Sequence, residues 1–313
     1  MLLDYVDKVG FARRDVVRRG IATVALSLAL TFCGDPAANG PPGDVPGPGN
    51  ESIIFIGAGD IADCSSGSED AATAAIIAQY PAAAVYTLGD NAYHDGTPAN
   101  YLQCYDPSWG KFKARTFPAP GNHDYHIEGA AGYFGYFGAS AGPAGRGYYS
   151  YDLGGWHIIS LDSEIAVDAT SAQAVWLEQN LAGHPATCTL AYWHRPLFTS
   201  GAEHAPEIMM RSLFTILYNA GADIVLSGHN HQYERFAPQR PDGTLDESTG
   251  IREFVAGTGG GGLYGFTTPQ PNSETRYTGF GVLKLTLGAT TYAWEFLPIA
   301  GSSFTDNGTG NCH

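Results

Sequence analysis

The sequence predicts an α/β fold made of two stacked mixed β-sheets with helices on their outer faces, a four-layer αββα sandwich. Three observations predict it. After residue 50 the first half of the chain alternates apolar runs with helical patterns, and the last part is rich in β patterns. Polar residues follow the carboxyl ends of several apolar runs, where α/β sheets hold their ligands. A doubly wound single sheet would not explain the β-rich end.

The elements follow from local patterns in chain order. Short apolar runs predict strands, and they lie at 51–59, 82–88, 116–119, 148–152, 157–161, 187–193, 223–226, 251–255, 282–287 and 291–297. Helical periodicity predicts helices at 69–80, where Ser68 is the expected cap, and at 171–181 and 206–219. The segment 91–110 is predicted to be a long loop, and loops of this length are usually functional. The Gly- and aromatic-rich segment 129–147 is expected to be irregular.

The first 33 residues have the pattern of an export signal. Arg13, Arg14 and two further arginines precede an apolar run at 21–32, which is too short to span a bilayer as a helix. The arginines weakly resemble a twin-arginine signal. The sequence ending in Cys33 resembles a lipobox with the bulky Phe32 in place of a small residue, so the alternatives are a lipid anchor at Cys33 or a plain cleaved signal.

Residues 34–50 are mostly Pro, Gly, Ala, Asn and Asp, which predicts a flexible tether. The folded catalytic domain is therefore expected at 51–313, after export to the periplasm, the medium or the cell surface of a bacterium. The net charge of the chain is −15. So acidic a surface argues against nucleic-acid binding, but not against small phosphorylated substrates, because bound cations reverse the local field.

Four cysteines follow the signal, which allows two disulfides in three pairings in an exported protein. Cys64 and Cys104 each follow a candidate metal loop, which favours the pairs Cys64–Cys104 and Cys188–Cys312. The alternative is that some of these cysteines are free buried thiols.

Metal-competent side chains follow the ends of five apolar runs. In His229-Asn230-His231 the two imidazoles at i and i+2 project to the same side. Carboxylate, amide and imidazole donors without sulfur suit Zn, Fe or Mn. Six protein ligands are too many for one ion with an open site, but two ions that share a carboxylate leave room for water. The predicted ligands are Asp60, Asp90, Asn122, His194, His229 and His231.

Jointly, from Ile53 to about Glu234, these motifs resemble the calcineurin-like metallophosphoesterase family. Ala62 stands where many members have a histidine, while Gly89-Asp90-Asn91-Ala92-Tyr93 matches the Gly-Asp-x-x-Tyr signature of the purple acid phosphatases. The resemblance implies the metallophosphoesterase fold, and because only a tether precedes Glu51 we expect its short, single-domain form. It implies a first ion, Fe(III), bound by Asp60, Asp90, Tyr93 and His231. It implies a second ion, Fe, Zn or Mn, bound by Asp90, Asn122, His194 and His229.

The same resemblance implies hydrolysis of phosphate esters, in which a metal-bridging hydroxide attacks phosphorus in line. His123 is expected to contact phosphate or protonate the leaving group, Asp124 to orient His123, and His204 to face the substrate or, alternatively, solvent. A phosphomonoesterase is the first hypothesis. The alternatives are a phosphodiesterase or nucleotidase with the same centre, and a non-catalytic metal- or phosphate-binding surface protein.

Two remaining features are interpreted conservatively. The glycine-rich run 257–262 lacks the Lys and Ser or Thr of a P-loop, so it is predicted to be a loop packed near the metal site. His94, His126, His157 and His184 lack motif support and are expected to be surface or core residues.

Overall fold

The computed structural model describes residues 52–65 and 68–313, so the expected export signal, the tether and Cys33 lie outside the described residues. Five α-helices are described: α1 (Asp70–Ile77), α2 (Pro98–Asn100), α3 (Ala131–Phe137), α4 (Ala172–Gly183) and α5 (Arg211–Asn219). The described strands are β1 (Ile53–Ala58), β2 (Ala84–Leu88), β3 (Thr116–Ala119), β4 (Tyr149–Leu153), β5 (Trp156–Ser160), β6 (Cys188–Tyr192), β7 (Ile224–Ser227), β8 (Tyr233–Phe236), β9 (Arg252–Ala256), β10 (Ser273–Tyr277), β11 (Gly281–Leu287), β12 (Thr291–Pro298) and β13 (Asp306–Asn311). None of the helices in these ranges is long and apolar enough to cross a membrane.

The strands form two mixed sheets. The first has six strands in the order β13-β12-β11-β1-β2-β3, and the second has seven in the order β10-β8-β9-β7-β6-β5-β4. In the first sheet β1, β2 and β3 run parallel, and in the second β5, β6, β7 and β9 run parallel. The carboxyl ends of each parallel set therefore meet at one edge of its sheet.

Three apolar cores separate four layers. One core lies between the sheets and joins Phe55 of the first sheet to Leu190 and Leu226 of the second. A second core lies on the outer face of the first sheet with α1, and a third lies on the outer face of the second sheet with α4 and α5. The predicted αββα sandwich is confirmed.

Both favoured disulfides are present. Cys64 and Cys104 lie with their Cα atoms 5.0 Å apart, and Cys188 and Cys312 lie 5.3 Å apart. The second bond joins Cys188, the first residue of β6 in one sheet, to Cys312, the residue that follows β13 in the other.

Several local predictions are wrong. The segment 91–110 is not one loop, because Thr97 caps α2 and a π-helical turn follows at Tyr101–Tyr105. Part of 129–147 forms α3, where Tyr133 and Phe137 at i and i+4 are buried. The glycines of this segment lower its helix propensity, so the sequence pattern does not predict the helix. Burial of its aromatic side chains in the tertiary structure stabilises it. The Ser68 hydroxyl does not cap α1 but donates to Asp70 Oδ1 at 2.7 Å.

The sequence also fails to predict β8, β10 and β13. Strand β13 carries two glycines because aromatic rings of β12 lie against it. A Cβ atom on Gly308 would lie 2.3 Å from the Trp294 side chain, and one on Gly310 would lie 2.2 Å from the Tyr292 side chain. Packing against β12, and not the strand propensity of its own residues, therefore determines β13.

Candidate metal centre

The two aspartates of the candidate centre lie just beyond neighbouring parallel strands. Asp60 follows β1 and Asp90 follows β2, and both have positive φ angles, 60° and 49°. Aspartate tolerates this left-handed conformation better than most residues. The Asp60 N–H donates to the Gly89 carbonyl at 3.0 Å, which ties the two turns together. The backbone geometry of these two turns therefore directs both carboxylates into the same region, beyond the carboxyl ends of β1 and β2.

One group of side chains surrounds the Tyr93 hydroxyl. Its oxygen lies 3.0 Å from Asp60 Oδ1, 3.3 Å from Asp90 Oδ2 and 2.9 Å from His231 Nε2. His231 Nε2 is also 3.2 Å from Asp60 Oδ1. Four potential ligand atoms therefore converge on one point.

A second group surrounds His194. Its Nε2 atom lies 3.2 Å from Asp90 Oδ2, 3.1 Å from Asn122 Oδ1 and 3.1 Å from His229 Nδ1. Asp90, His194 and His229 each offer one ligand atom, and these atoms all lie within 4.8 Å of one another. Asp90 Oδ2 belongs to both groups, so a carboxylate stands between two clusters of donors.

Backbone carbonyls orient two of the imidazoles. His194 Nδ1 lies 2.7 Å from the Leu88 carbonyl oxygen, and His231 Nδ1 contacts the Gly262 carbonyl oxygen. Each Nδ1–H can donate to its carbonyl, which leaves Nε2 free to bind an ion. The His229 backbone has a φ of 67°, and its N–H donates to Asp60 Oδ2 at 2.9 Å.

The electrostatics of the cluster favour bound cations. Asp60 and Asp90 are 0% and 1% exposed. Burial raises the pKa of Asp90, but His194 and His123 outweigh burial and hold that pKa well below its usual range. Burial disfavours the His194 imidazolium, yet Asp90 and Asp60 raise the pKa of His194 to about 10. Positive charge beside these buried carboxylates is therefore favourable, and bound metal ions would supply it.

The structure corrects the expected role of Asp124. Its buried carboxylate accepts hydrogen bonds from Tyr101 Oη at 2.6 Å and from the Gly121 N–H at 2.9 Å. His123 Nδ1 instead lies 2.6 Å from the His94 carbonyl oxygen. Asp124 therefore supports the turn that carries Asn122 and His123, and the His94 backbone orients the His123 imidazole.

His204 and Arg195 border the second group of donors. The His204 ring stacks on the His229 ring with centroids 3.9 Å apart. Arg195 Nη1 lies 3.2 Å from His229 Nε2, while both Glu164 oxygens accept from Arg195 Nε at 2.9 and 3.0 Å. The position of Arg195 was not predicted, although it directly follows His194.

The glycine-rich run packs against the first group, as predicted. The Gly261 N–H donates to the Asp60 carbonyl at 2.8 Å, and a Cβ atom on Gly257 would lie 2.6 Å from Asp60 Oδ2. Past this run, the Tyr264 ring stacks on His231 with centroids 4.0 Å apart. The sequence carries no local signal for Tyr264 because only the fold brings it to the centre.

His94 and His126, which were expected to be surface or core residues, are exposed and lie on either side of His123 in ring contacts. The His94 and His123 ring centroids are 6.4 Å apart, and those of His123 and His126 are 4.5 Å apart. His157 and His184 stack on each other with centroids 5.0 Å apart, and His157 is buried in contact with Asn180, as expected of a core residue.

Comparisons with known proteins agree with this geometry. A family model described as calcineurin-like phosphoesterase matches residues 44–233. The chain is 31% identical to purple acid phosphatase 15 of Arabidopsis thaliana, over 48% of this chain and 35% of that protein. It is 34% identical to probable purple acid phosphatase 20 of the same plant, over 50% and 39%. The chain thus spans little more than a third of the length of these relatives.

Solved structures show the same fold. The purple acid phosphatase PPD1 of yellow lupin superposes with a TM-score of 0.68 at 22% identity, over 85% of this chain and 55% of that one. GAP50, the anchor in the inner membrane complex of Plasmodium, superposes with a TM-score of 0.62 at 15% identity, over 84% and 89%.

Proposed function

Because this chain belongs to the calcineurin-like phosphoesterase family, we propose that it hydrolyses phosphate monoesters at a binuclear metal centre. The observation that carries the proposal is the position of Asp90, whose Oδ2 atom stands between the Tyr93 and His194 donor groups. A shared carboxylate is the bridge that a metal pair needs. The family relationship supports the pair, and the names of the plant relatives support phosphate monoesters as substrates.

The donor chemistry supports a particular distribution of ions. We assign one ion to Asp60, Asp90, Tyr93 and His231, and the other to Asp90, Asn122, His194 and His229. A phenolate is a hard anionic donor, so the Tyr93 site suits Fe(III), and the second site suits Fe, Zn or Mn. When bound, the two ions would activate water and stabilise charge on the phosphoryl oxygens.

Residues of the chain would perform the remaining steps. His123 Nδ1 is held by the His94 carbonyl, which leaves Nε2, 3.9 Å from Asp90 Oδ2, to face the substrate. We propose that this Nε2 atom protonates the leaving oxygen. His204, beside His229, and Arg195 would contact the phosphoryl group from the other side. Asp124 acts only through the turn that it supports.

The test is turnover of a chromogenic phosphate monoester by the metal-loaded protein. Asp90→Asn keeps the size of the side chain but removes the bridging charge, and we expect it to lower kcat/KM by at least about a thousandfold. Metal content, measured on the same samples, should fall. Asp95→Asn, at an exposed carboxylate outside the donor groups, is the control and should leave both values unchanged.

The same assay separates the alternative functions. Faster turnover of a phosphate diester than of the monoester would favour a phosphodiesterase or nucleotidase. Full metal loading without turnover of either ester would favour a non-catalytic metal- or phosphate-binding protein.

We also propose that residues 1–33 direct export and that 34–50 tether the catalytic domain, residues 51–313. The two disulfides support an oxidising compartment such as the periplasm, the medium or the cell surface. Mass spectrometry of the mature amino terminus would test this assignment and whether Cys33 carries lipid.

A further inference from the structure

A cavity opens beside the Tyr93 donor group. Its volume is about 220 Å³. It is lined by Asp63, Tyr93, His94, His123, His231, Gly261, Gly262 and Tyr264. Three of these residues, Tyr93, His123 and His231, also belong to the proposed centre or its acid. The cavity is therefore continuous with the site of the proposed reaction.

The position of His123 defines what this cavity would hold. The acid that protonates a leaving oxygen must lie on the leaving-group side of phosphorus. His123 forms part of the cavity wall, and its ring contacts Tyr93 with centroids 4.6 Å apart. If the proposed phosphatase function is correct, the alcohol part of the substrate occupies this cavity.

Asp63 provides the carboxylate among the described residues that line the cavity. Asp63 is 15% exposed, and its Oδ1 atom accepts a hydrogen bond from the Ser65 N–H at 2.8 Å, which fixes the carboxylate. Among the residues that the structure describes, neither lysine nor arginine lines the cavity. The Tyr264 ring, which stacks on His231 with centroids 4.0 Å apart, forms an aromatic part of the same wall.

A negative group on the leaving alcohol would therefore meet Asp63 with no guanidinium or ammonium to offset it. An ammonium group would instead be attracted to this carboxylate and to the aromatic wall. His94, His123 and His231 supply the imidazole nitrogens that line the cavity, and His94 Nε2 lies 3.6 Å from Asp63 Oδ2.

We propose that this cavity is a leaving-group site that selects small phosphate monoesters with a cationic leaving group over those with an anionic one. This inference rests on the proposed function, because it assigns a substrate class to the same centre. Asp63 is its specificity-determining residue, although it contributes no atom to either donor group.

The first experiment compares two substrates of similar size on the metal-loaded full chain. Phosphoethanolamine carries an ammonium group, and phosphoglycolate carries a carboxylate. At neutral pH, where the ammonium group of one substrate and the carboxylate of the other are both charged, we expect kcat/KM to favour phosphoethanolamine by at least about tenfold. Asp63→Asn keeps the Ser65 contact and should reduce this ratio to about twofold or less. Asp95→Asn, outside the cavity, should leave the ratio unchanged.

Binding supplies a readout that does not depend on turnover. 3-Aminopropylphosphonate and 3-phosphonopropionate are the non-hydrolysable counterparts of the two substrates, and calorimetry would measure their dissociation constants. The aminophosphonate should bind at least about tenfold more tightly to the wild-type protein, and Asp63→Asn should remove this preference.

The outcomes separate the two proposals. Turnover of both substrates with equal or reversed preference would overturn the leaving-group assignment and leave the phosphatase proposal intact. A ratio that survives Asp63→Asn would overturn the role of Asp63. Absence of turnover of any monoester by the loaded protein would overturn the proposed function, and this inference with it.

Discussion

Tyr93 is the residue on which the proposed identity of the first ion depends. Its hydroxyl lies within 3.3 Å of two carboxylates and one imidazole, and the side chain is 4% exposed. Burial, followed by the charges of Asp60 and Asp90, raises the pKa of this phenol well above its ordinary value. A phenol so placed gives up its proton only to a strong cation, which supports the proposal of Fe(III) at this site.

Replacing Tyr93 with Phe removes the phenolate donor and keeps the ring. We expect the iron-loaded variant to lose its visible absorption band, to bind less iron and to lose at least about tenfold in kcat/KM. Absorption spectra and metal analysis would measure this. Tyr264→Phe is the matched control, because Tyr264 also packs on His231 but lies outside the donor groups. A visible band that persists in Tyr93→Phe would exclude iron at this position.

Glu253 is a buried acid at the base of the loop that follows His194. It is 0% exposed and accepts hydrogen bonds from the Leu197 N–H at 3.2 Å and from Ser227 Oγ at 3.0 Å. Burial raises its pKa to about 8 in the folded chain, compared with about 4.3 for an unfolded glutamate. The folded state therefore holds this proton more tightly than the unfolded state.

This difference fixes the sign of a pH dependence. The contribution of Glu253 is fully present below about pH 4.3 and is lost as pH rises to about 8, with a slope of up to about 1.4 kcal/mol per pH unit. We expect Glu253→Gln to flatten the wild-type fall in the free energy of unfolding over this window, measured in denaturant titrations. Glu178→Gln, at an exposed carboxylate of α4, should leave the slope unchanged, and an equal slope in the Glu253 variant would contradict the assignment.

Among the structural elements, the glycine-rich run shows how backbone packing maintains the centre. The run lies between β9 and Tyr264 in the chain. The Gly259 and Gly261 N–H groups donate to the carbonyls of Gly59 and Asp60, in the turn that follows β1. Side chains at the inner positions would push against that turn. Glycine is required at these inner positions because the backbones approach closely.

Two substitutions in this run make a matched pair. A Cβ atom at Gly257 would lie 2.3 Å from the Asn230 carbonyl oxygen and 2.6 Å from Asp60 Oδ2, whereas one at Gly262 would have nothing within 4 Å. We expect Gly257→Ala to lower the free energy of unfolding by about 1–3 kcal/mol and to reduce metal loading. Gly262→Ala should change the unfolding free energy by less than about 0.5 kcal/mol. Equal effects of the two substitutions on unfolding free energy and metal loading would contradict the requirement for close packing of Gly257 on Asp60.

In the molecule as a whole, the centre joins the two sheets. Asp60, Asp90 and Asn122 follow strands of the first sheet, and His194 and His229 follow strands of the second. The geometry of the donor groups therefore depends on how the sheets are held together. The interface between the sheets and the Cys188–Cys312 disulfide both contribute to this.

Removal of that disulfide tests its contribution. Cys188 and Cys312 are 124 residues apart, and for a loop of this length chain entropy predicts a loss of about 5 kcal/mol. The double variant Cys188→Ala with Cys312→Ala should show this loss in guanidinium unfolding, while its folded fraction keeps activity within about twofold, because the bond begins at the opposite end of β6 from His194. A loss below about 1 kcal/mol would show that interface packing alone holds the sheets.

The sequence by itself determined the order of the main elements, the layered fold and the set of polar residues that converge, and it favoured both disulfide pairs without excluding the alternatives. It could do so because strand periodicity, and the placement of polar residues at the ends of parallel strands, are local properties of the chain. It did not determine β13, α3, the partners of Asp124 or the cavity beside Tyr93. Those depend on side chains far apart in sequence, such as Trp294 against Gly308 or Tyr101 against Asp124, and only the packed tertiary structure brings them into contact.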